Sequence, residues 1–90
     1  MNCLSFDVGG TTVKYGVIND SYKILKKDKI PTPENEEKFI DSLSNIIQEN
    51  LSKISEVSIA MPGYVDSANN KYLYGPHLQF GIDFLKLSNF

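Results

Sequence analysis

The hydrophobic pattern changes period twice along the chain. Cys3-Leu4-Ser5-Phe6-Asp7-Val8 is short, apolar-rich and stopped by Gly9-Gly10, which reads as a buried strand. From Thr12 to Ile18, Val13, Tyr15 and Val17 fall on one face and Lys14, Gly16 and Ile18 on the other. That alternation predicts a second strand. Asn19-Asp20-Ser21 supplies turn residues, and Tyr22 to Ile30 resumes extended character with its lysines outward. Three consecutive strands joined by two tight turns predict an antiparallel meander.

The period then lengthens. Thr32-Pro33-Glu34 predicts a helix start: a capping hydroxyl, proline at the first position, and Glu34, Glu36 and Glu37 at the positive dipole end. Phe39, Ile40, Leu43, Ile46, Ile47, Leu51 and Ile54 recur at helical spacing and form one apolar stripe. Val57 to Met61 predicts a fourth strand, halted by Pro62-Gly63. A strand–helix–strand crossover places that strand parallel to its partner and buried. Beyond Gly63, Tyr64-Val65-Asp66 and Lys71-Tyr72-Leu73-Tyr74 flank Asn69-Asn70 as a small outlying hairpin, Gly75-Pro76-His77 forms a loop, and Ile82 to Leu87 begins a helix. The expected fold class is α/β, with a mixed sheet and one domain spanning 1–90.

Composition narrows the function. A hydrophobic fraction of 41% and a charged fraction of 22% belong to a folded globular chain rather than a disordered one. The net charge of −2 gives no overall basic footprint for nucleic acid. Cys3, the single cysteine, cannot form an internal disulfide, which fits a reducing, cytoplasmic setting. The apolar runs are too short for a membrane span or a signal peptide.

The chemistry concentrates in Asp7-Val8-Gly9-Gly10-Thr11-Thr12. Paired glycines permit positive φ and remove side chains that would block a ligand. Successive backbone N–H groups there form an anion-binding concavity, to which the Thr11 and Thr12 hydroxyls add donors. A carboxylate beside such a cradle acts chiefly through a metal, because Mg²⁺ takes oxygen ligands and bridges carboxylate to phosphate. Lys14 adds positive charge near the same mouth. The simpler reading is a hairpin turn capped by Asp7, with Lys14 solvated. Neither a P-loop nor a dinucleotide fingerprint is present, since the spacing differs and a strand, not a helix, follows. Pro62-Gly63 raises a similar pair of readings. Either it merely ends a strand, with Tyr64 packed on the hairpin, or Gly63 lets backbone approach a hydroxylated ligand that Tyr64 stacks on.

Taken with their separation and the intervening βββαβ order, Asp7-Val8-Gly9-Gly10-Thr11-Thr12 with Gly16, and Met61-Pro62-Gly63-Tyr64-Val65-Asp66, closely resemble the amino-terminal half of ROK-family sugar kinases. The resemblance implies a ribonuclease-H-like lobe of the actin-like ATPase group. It implies phosphate contacts from Gly9, Gly10, Thr11 and Thr12, Asp7 near Mg²⁺, and Lys14 at a position these kinases give to a basic or small polar residue. It also implies that Gly63 and the following Tyr64 line the sugar pocket, with His77 where the family carries Asn. Thr12 stands where Lys or Asn is common, which shortens that contact.

The same resemblance implies that the catalytic base, the Asp of an Asn-Asp pair, lies past residue 90, with the adenine-binding lobe. No residue of this chain is assigned as that base. The chain is accordingly expected to be one lobe of an ATP- and Mg²⁺-dependent sugar kinase, inactive alone and self-associating through the surface its second lobe would cover. Two other functions fit the residues: a stand-alone binding module with this fold, or a sugar-responsive regulator. Such regulators carry a helix-turn-helix ahead of the turn, and with six residues before Asp7 the regulator is the less expected of the readings.

Overall fold

A computed structural model describes residues 2–87. Four strands, β1 (Cys3–Val8), β2 (Thr12–Ile18), β3 (Ile24–Pro31) and β4 (Glu56–Ala60), make a mixed sheet in the order β3-β2-β1-β4. β2 runs antiparallel to both β1 and β3, and β4 runs parallel to β1 after the crossover through helix α1 (Glu36–Asn50). A second, antiparallel sheet follows, formed by β5 (Tyr64–Asp66), β6 (Lys71–Tyr74) and β7 (Ile82–Asp83).

Period-two burial explains the packing. Leu4, Phe6 and Val8 of β1 and Val13 and Val17 of β2 face α1, whose Phe39, Leu43, Ile46 and Ile47 meet them in one core. Tyr72, Leu78 and Ile82 extend that core beneath the second sheet. Phe39 is fully buried and meets Phe80 edge-on at 6.3 Å between ring centroids, so one helix residue joins the main core to the β6–β7 connection. Burying such a side chain stabilises the fold by about 1.5–3 kcal/mol.

Several features differ from the sequence expectation. The helix starts at Glu36, not after Thr32. Asn35 is the cap, its Oδ1 accepting from the Lys38 N–H at 2.8 Å, because Thr32 is held in the sheet's hydrogen bonding by its own N–H on the Thr11 carbonyl. The helix also ends before Leu51. Residues Leu51–Lys53 tighten into a 3₁₀ turn, and Asn50, buried at the end of α1, returns its Nδ2 to the Ile46 carbonyl at 2.7 Å. Third, β4 is not buried: it is the sheet's edge, and Val57 is 40% exposed. Finally, Ile82 and Asp83 pair with β6, and Phe84–Leu87 form a 3₁₀ turn rather than an α-helix. Among the described residues no helix is long and apolar enough to cross a membrane.

The second sheet is fastened to the start of α1 by Glu36. Its carboxylate accepts from Lys86 Nζ at 2.7 Å and from the Asp83 N–H at 2.8 Å. The Lys86 hydrogen bond, followed by the Asp83 N–H, holds the Glu36 carboxyl below the usual glutamate range. A depressed carboxylate stabilises fully above its unfolded pKa, and that contribution is lost as pH falls through the folded value. Acid titration should therefore loosen the β7 end first, and Glu36→Gln should flatten the acid limb of a thermal-melt series. An unchanged acid limb in the variant would count against this fastening.

Candidate functional site

The glycine turn is built by strand register. Val8 pairs with Val13 and Asp7 with Lys14, so residues 9 to 12 must reverse the chain, and the Gly9 N–H closes the turn on the Thr12 carbonyl at 2.9 Å. A Cβ on Gly9 would lie 2.8 Å from that same carbonyl oxygen, so a side chain there would break the closure. The turn's own hydrogen bonds do not use the N–H groups of Gly10 and Thr11, both exposed residues. They are the donors an anion would meet.

Thr32 clasps the turn from the crossover side. Its Oγ1 donates to the Gly9 carbonyl at 2.7 Å while its N–H donates to the Thr11 carbonyl at 3.0 Å. Thr32 therefore serves the turn and not the helix cap that the sequence predicts for it. The one local signal was Pro33, which biases the preceding residue toward extended backbone and so toward continuing β3. Thr32→Val should cost about 1 kcal/mol by thermal melting, because the Gly9 carbonyl loses a neutral donor at a partly buried site. A neutral result would show that the clasp is not holding the turn.

Asp7 is exposed at the end of β1, directly across from Lys14. The two line a depression of about 180 Å³ with Gly16 and Lys27 on the sheet face away from α1. Among the described residues no three metal-ligating side chains cluster. One carboxylate beside free turn amides suits a cation that keeps its waters and shares oxygens with a phosphate, and does not suit a protein-only cage.

The second anchor is joined to this place through the loop that follows β6. Gly63 has φ +143°, and a Cβ on it would lie 2.7 Å from both Tyr72 Cε1 and the Tyr74 carbonyl oxygen. A Cβ on Gly75 would strike the Tyr72 hydroxyl and lie 2.6 Å from the Pro62 carbonyl oxygen. Two glycine backbones thus close over the buried Tyr72, whose hydroxyl donates to the Pro62 carbonyl at 3.4 Å. The alternation of β6 marks Tyr72 as its inward residue. The loop leaving Gly75 is pinned by buried Leu78 and lays His77 over the first turn, with Nδ1 3.3 Å from where a Gly10 Cβ would be.

The candidate residues therefore fall into two groups. Gly9, Gly10, Thr11, Thr12, Asp7, Lys14 and His77 gather around one turn. Gly63 belongs to a separate group, packed against Gly75 and Tyr72. Tyr64 is turned onto Tyr74, 4.7 Å between centroids, and both rings are largely exposed. No contact carries Tyr64 to the turn.

This arrangement has counterparts. The profile of the ROK family matches residues 3–86. The chain belongs to the ROK family. It is similar to a glucokinase of Streptomyces coelicolor, 27% identical over 92% of this chain and 27% of that protein. An N-acetyl-D-glucosamine kinase of Photobacterium profundum is 31% identical over 76% of this chain and 24% of that protein. In three dimensions the chain is similar to a ROK family glucokinase from Streptomyces griseus, solved in complex with glucose and AMPPNP. There the TM-score is 0.71 at 26% identity, over 88% of this chain and 26% of that one. The ROK chain described here thus spans about a quarter of the length of these relatives.

Proposed function

We propose that the chain is the amino-terminal, ribonuclease-H-like lobe of a cytoplasmic, ATP-dependent kinase for a hexose or N-acetylhexosamine. The observation that carries this reading is the meeting of the glycine turn with the Gly75–His77 loop, at Gly10 and His77. One loop offers free amides for phosphate, and the other offers an imidazole and a glycine backbone for a sugar. A phosphoryl transfer needs donor and acceptor held together in this way.

In this reading Gly10 and Thr11 donate backbone N–H groups to the phosphates, and the Thr11 and Thr12 hydroxyls donate beside them. Gly9 keeps the turn closed, and Lys14 adds charge at its rim. Asp7 would hold Mg²⁺, which neutralises phosphate charge when bound. Gly63 keeps the backbone low, and His77 lies where it can hydrogen-bond a sugar hydroxyl, with Tyr64 at the outer margin of the pocket. The base that accepts the hydroxyl proton and the adenine pocket belong to sequence beyond residue 90. The protein encoded by the whole reading frame should phosphorylate at least one member of a hexose and N-acetylhexosamine panel with ATP and Mg²⁺, and the isolated chain should phosphorylate none. Turnover by the isolated chain, or none by the whole protein, would refute the assignment.

The partner surface is the edge of β4. A groove of about 560 Å³ runs between it and the second sheet, lined by Ile47, Val57, Ile59, Met61, Val65 and Phe84. Apolar surface of this kind calls for a cover, which in the whole protein is the carboxyl-terminal lobe. Alone, the chain should self-associate with rising concentration in sedimentation. A strictly monomeric species throughout would contradict that.

A further inference from the structure

Two carbonyls of the glycine turn are held by one residue. Thr32 donates its hydroxyl to the Gly9 carbonyl at 2.7 Å and its N–H to the Thr11 carbonyl at 3.0 Å. Closing a hairpin does not require this, because the Gly9 N–H already closes the turn on the Thr12 carbonyl at 2.9 Å. The hydroxyl reaches the Gly9 carbonyl from 23 positions along the chain. Its effect on the turn is one of direction as well as of closure.

The Gly9 carbonyl and the Gly10 N–H belong to one planar, trans peptide group, so they point in opposite directions. Holding the carbonyl therefore fixes the N–H. With the Gly9 oxygen drawn to Thr32, the Gly10 N–H is turned to the side away from Thr32, where Gly10 is exposed. A peptide unit between two glycines is otherwise free to rotate, since no Cβ confines either residue. The bond accepted by the carbonyl also polarises the group and strengthens its N–H as a donor. The holder is itself rigid. Thr32 lies between Pro31 and Pro33, whose rings fix φ on both sides, and its branched Cβ limits χ1. Pro31 is in register with Thr12, and the Thr32 N–H ties the next residue to the turn. A long, flexible donor would follow a moving carbonyl; this one holds it still.

We propose that Thr32 is a positioning residue for phosphate binding: its hydroxyl, by holding the Gly9 carbonyl, aims the Gly10 N–H at the anion. This role rests on the phosphate reading of the turn, and Thr32 acts through the turn rather than on the ligand. It is separate from the contribution of the clasp to stability. In fully folded protein a loss of stability alone leaves affinity unchanged, whereas a donor that must be re-aimed on binding weakens it.

The test compares ¹⁵N amide titrations of this chain with AMPPNP and Mg²⁺, well below the thermal midpoint, in the parent, Thr32→Val and Thr32→Ser. Thr32→Val keeps the shape and the backbone donor and removes the hydroxyl. Affinity should fall about five-fold, the worth of one neutral hydrogen bond. Even without ligand the Gly10 ¹⁵N resonance should move, since its nitrogen shares the peptide unit of the released carbonyl. Thr32→Ser should return the resonance, and the affinity to within about two-fold of the parent. Ile46→Val, a core trimming of similar cost to stability, should change neither. Should Thr32→Val fail to fold, Thr32→Ala must show the same loss and the same displaced resonance. Parent-like affinity in a folded variant lacking the hydroxyl, no recovery in Thr32→Ser, or an equal loss in Ile46→Val would overturn the positioning role and leave the phosphate site standing. A parent whose turn amides do not respond to the ligand would overturn the phosphate reading and this role with it.

Discussion

Gly63→Ala is expected to cost about 3–5 kcal/mol and to lower the thermal midpoint by more than about 10 °C. Two costs add at this position. The φ of +143° lies where L side chains rarely go, and the new Cβ would sit 2.7 Å from Tyr72 Cε1 and the Tyr74 carbonyl. Neither neighbour can retreat. Tyr72 is 1% exposed with its hydroxyl against Pro62, and Tyr74 is in β6. A domain of this length holds only about 5–13 kcal/mol in total, so the second sheet should detach first. The contrast is Gly10→Ala, where the neighbour is the exposed imidazole of His77, free to swing aside. That variant should melt within about 0.5 kcal/mol of the parent. Equal loss in both variants would mean that the glycine positions are not distinguished by what lies behind them.

Asp7→Asn should leave folding intact and lower kcat/KM for ATP in the whole protein by about 10²-fold or more. Asp7 is exposed, and its strand neighbours Phe6 and Val8 carry the core packing. The amide keeps the shape and removes the charge, so the loss reports on the cation rather than on the turn. The defect should shrink as Mg²⁺ is raised. A variant with full activity at low Mg²⁺ would remove Asp7 from the site.

Much of this was legible in the residues, and the failures have physical causes. The strands β1, β2 and β4 announced themselves because alternation and glycine stops are local. The helix start was misread because two capping signals competed within four residues, Thr32-Pro33 and Asn35. The winner was decided by a nonlocal bond, Thr32 to the Gly9 carbonyl. Burial of β4 was overestimated because an apolar run is the same whether a strand lies within a sheet or at its edge. At the site, the turn was visible as a motif, but the contact of His77 with Gly10 was not. They lie 67 positions apart in the chain, and their meeting depends on Gly63, Gly75 and Tyr72 closing over one another. Tyr64 shows the opposite case. Its position after Pro62-Gly63 suggested a pocket, and its ring lies on Tyr74.

The central claim is that the amides of the glycine turn receive the phosphates. The most direct measurement is an amide chemical-shift titration of the ¹⁵N-labelled chain with AMPPNP and Mg²⁺. The account predicts the largest shifts at Gly10 and Thr11, smaller ones at Gly9, Thr12 and His77, and their reduction in Asp7→Asn. Saturating ligand with no change at the turn, or shifts centred elsewhere while Gly10 and Thr11 stay fixed, would contradict it.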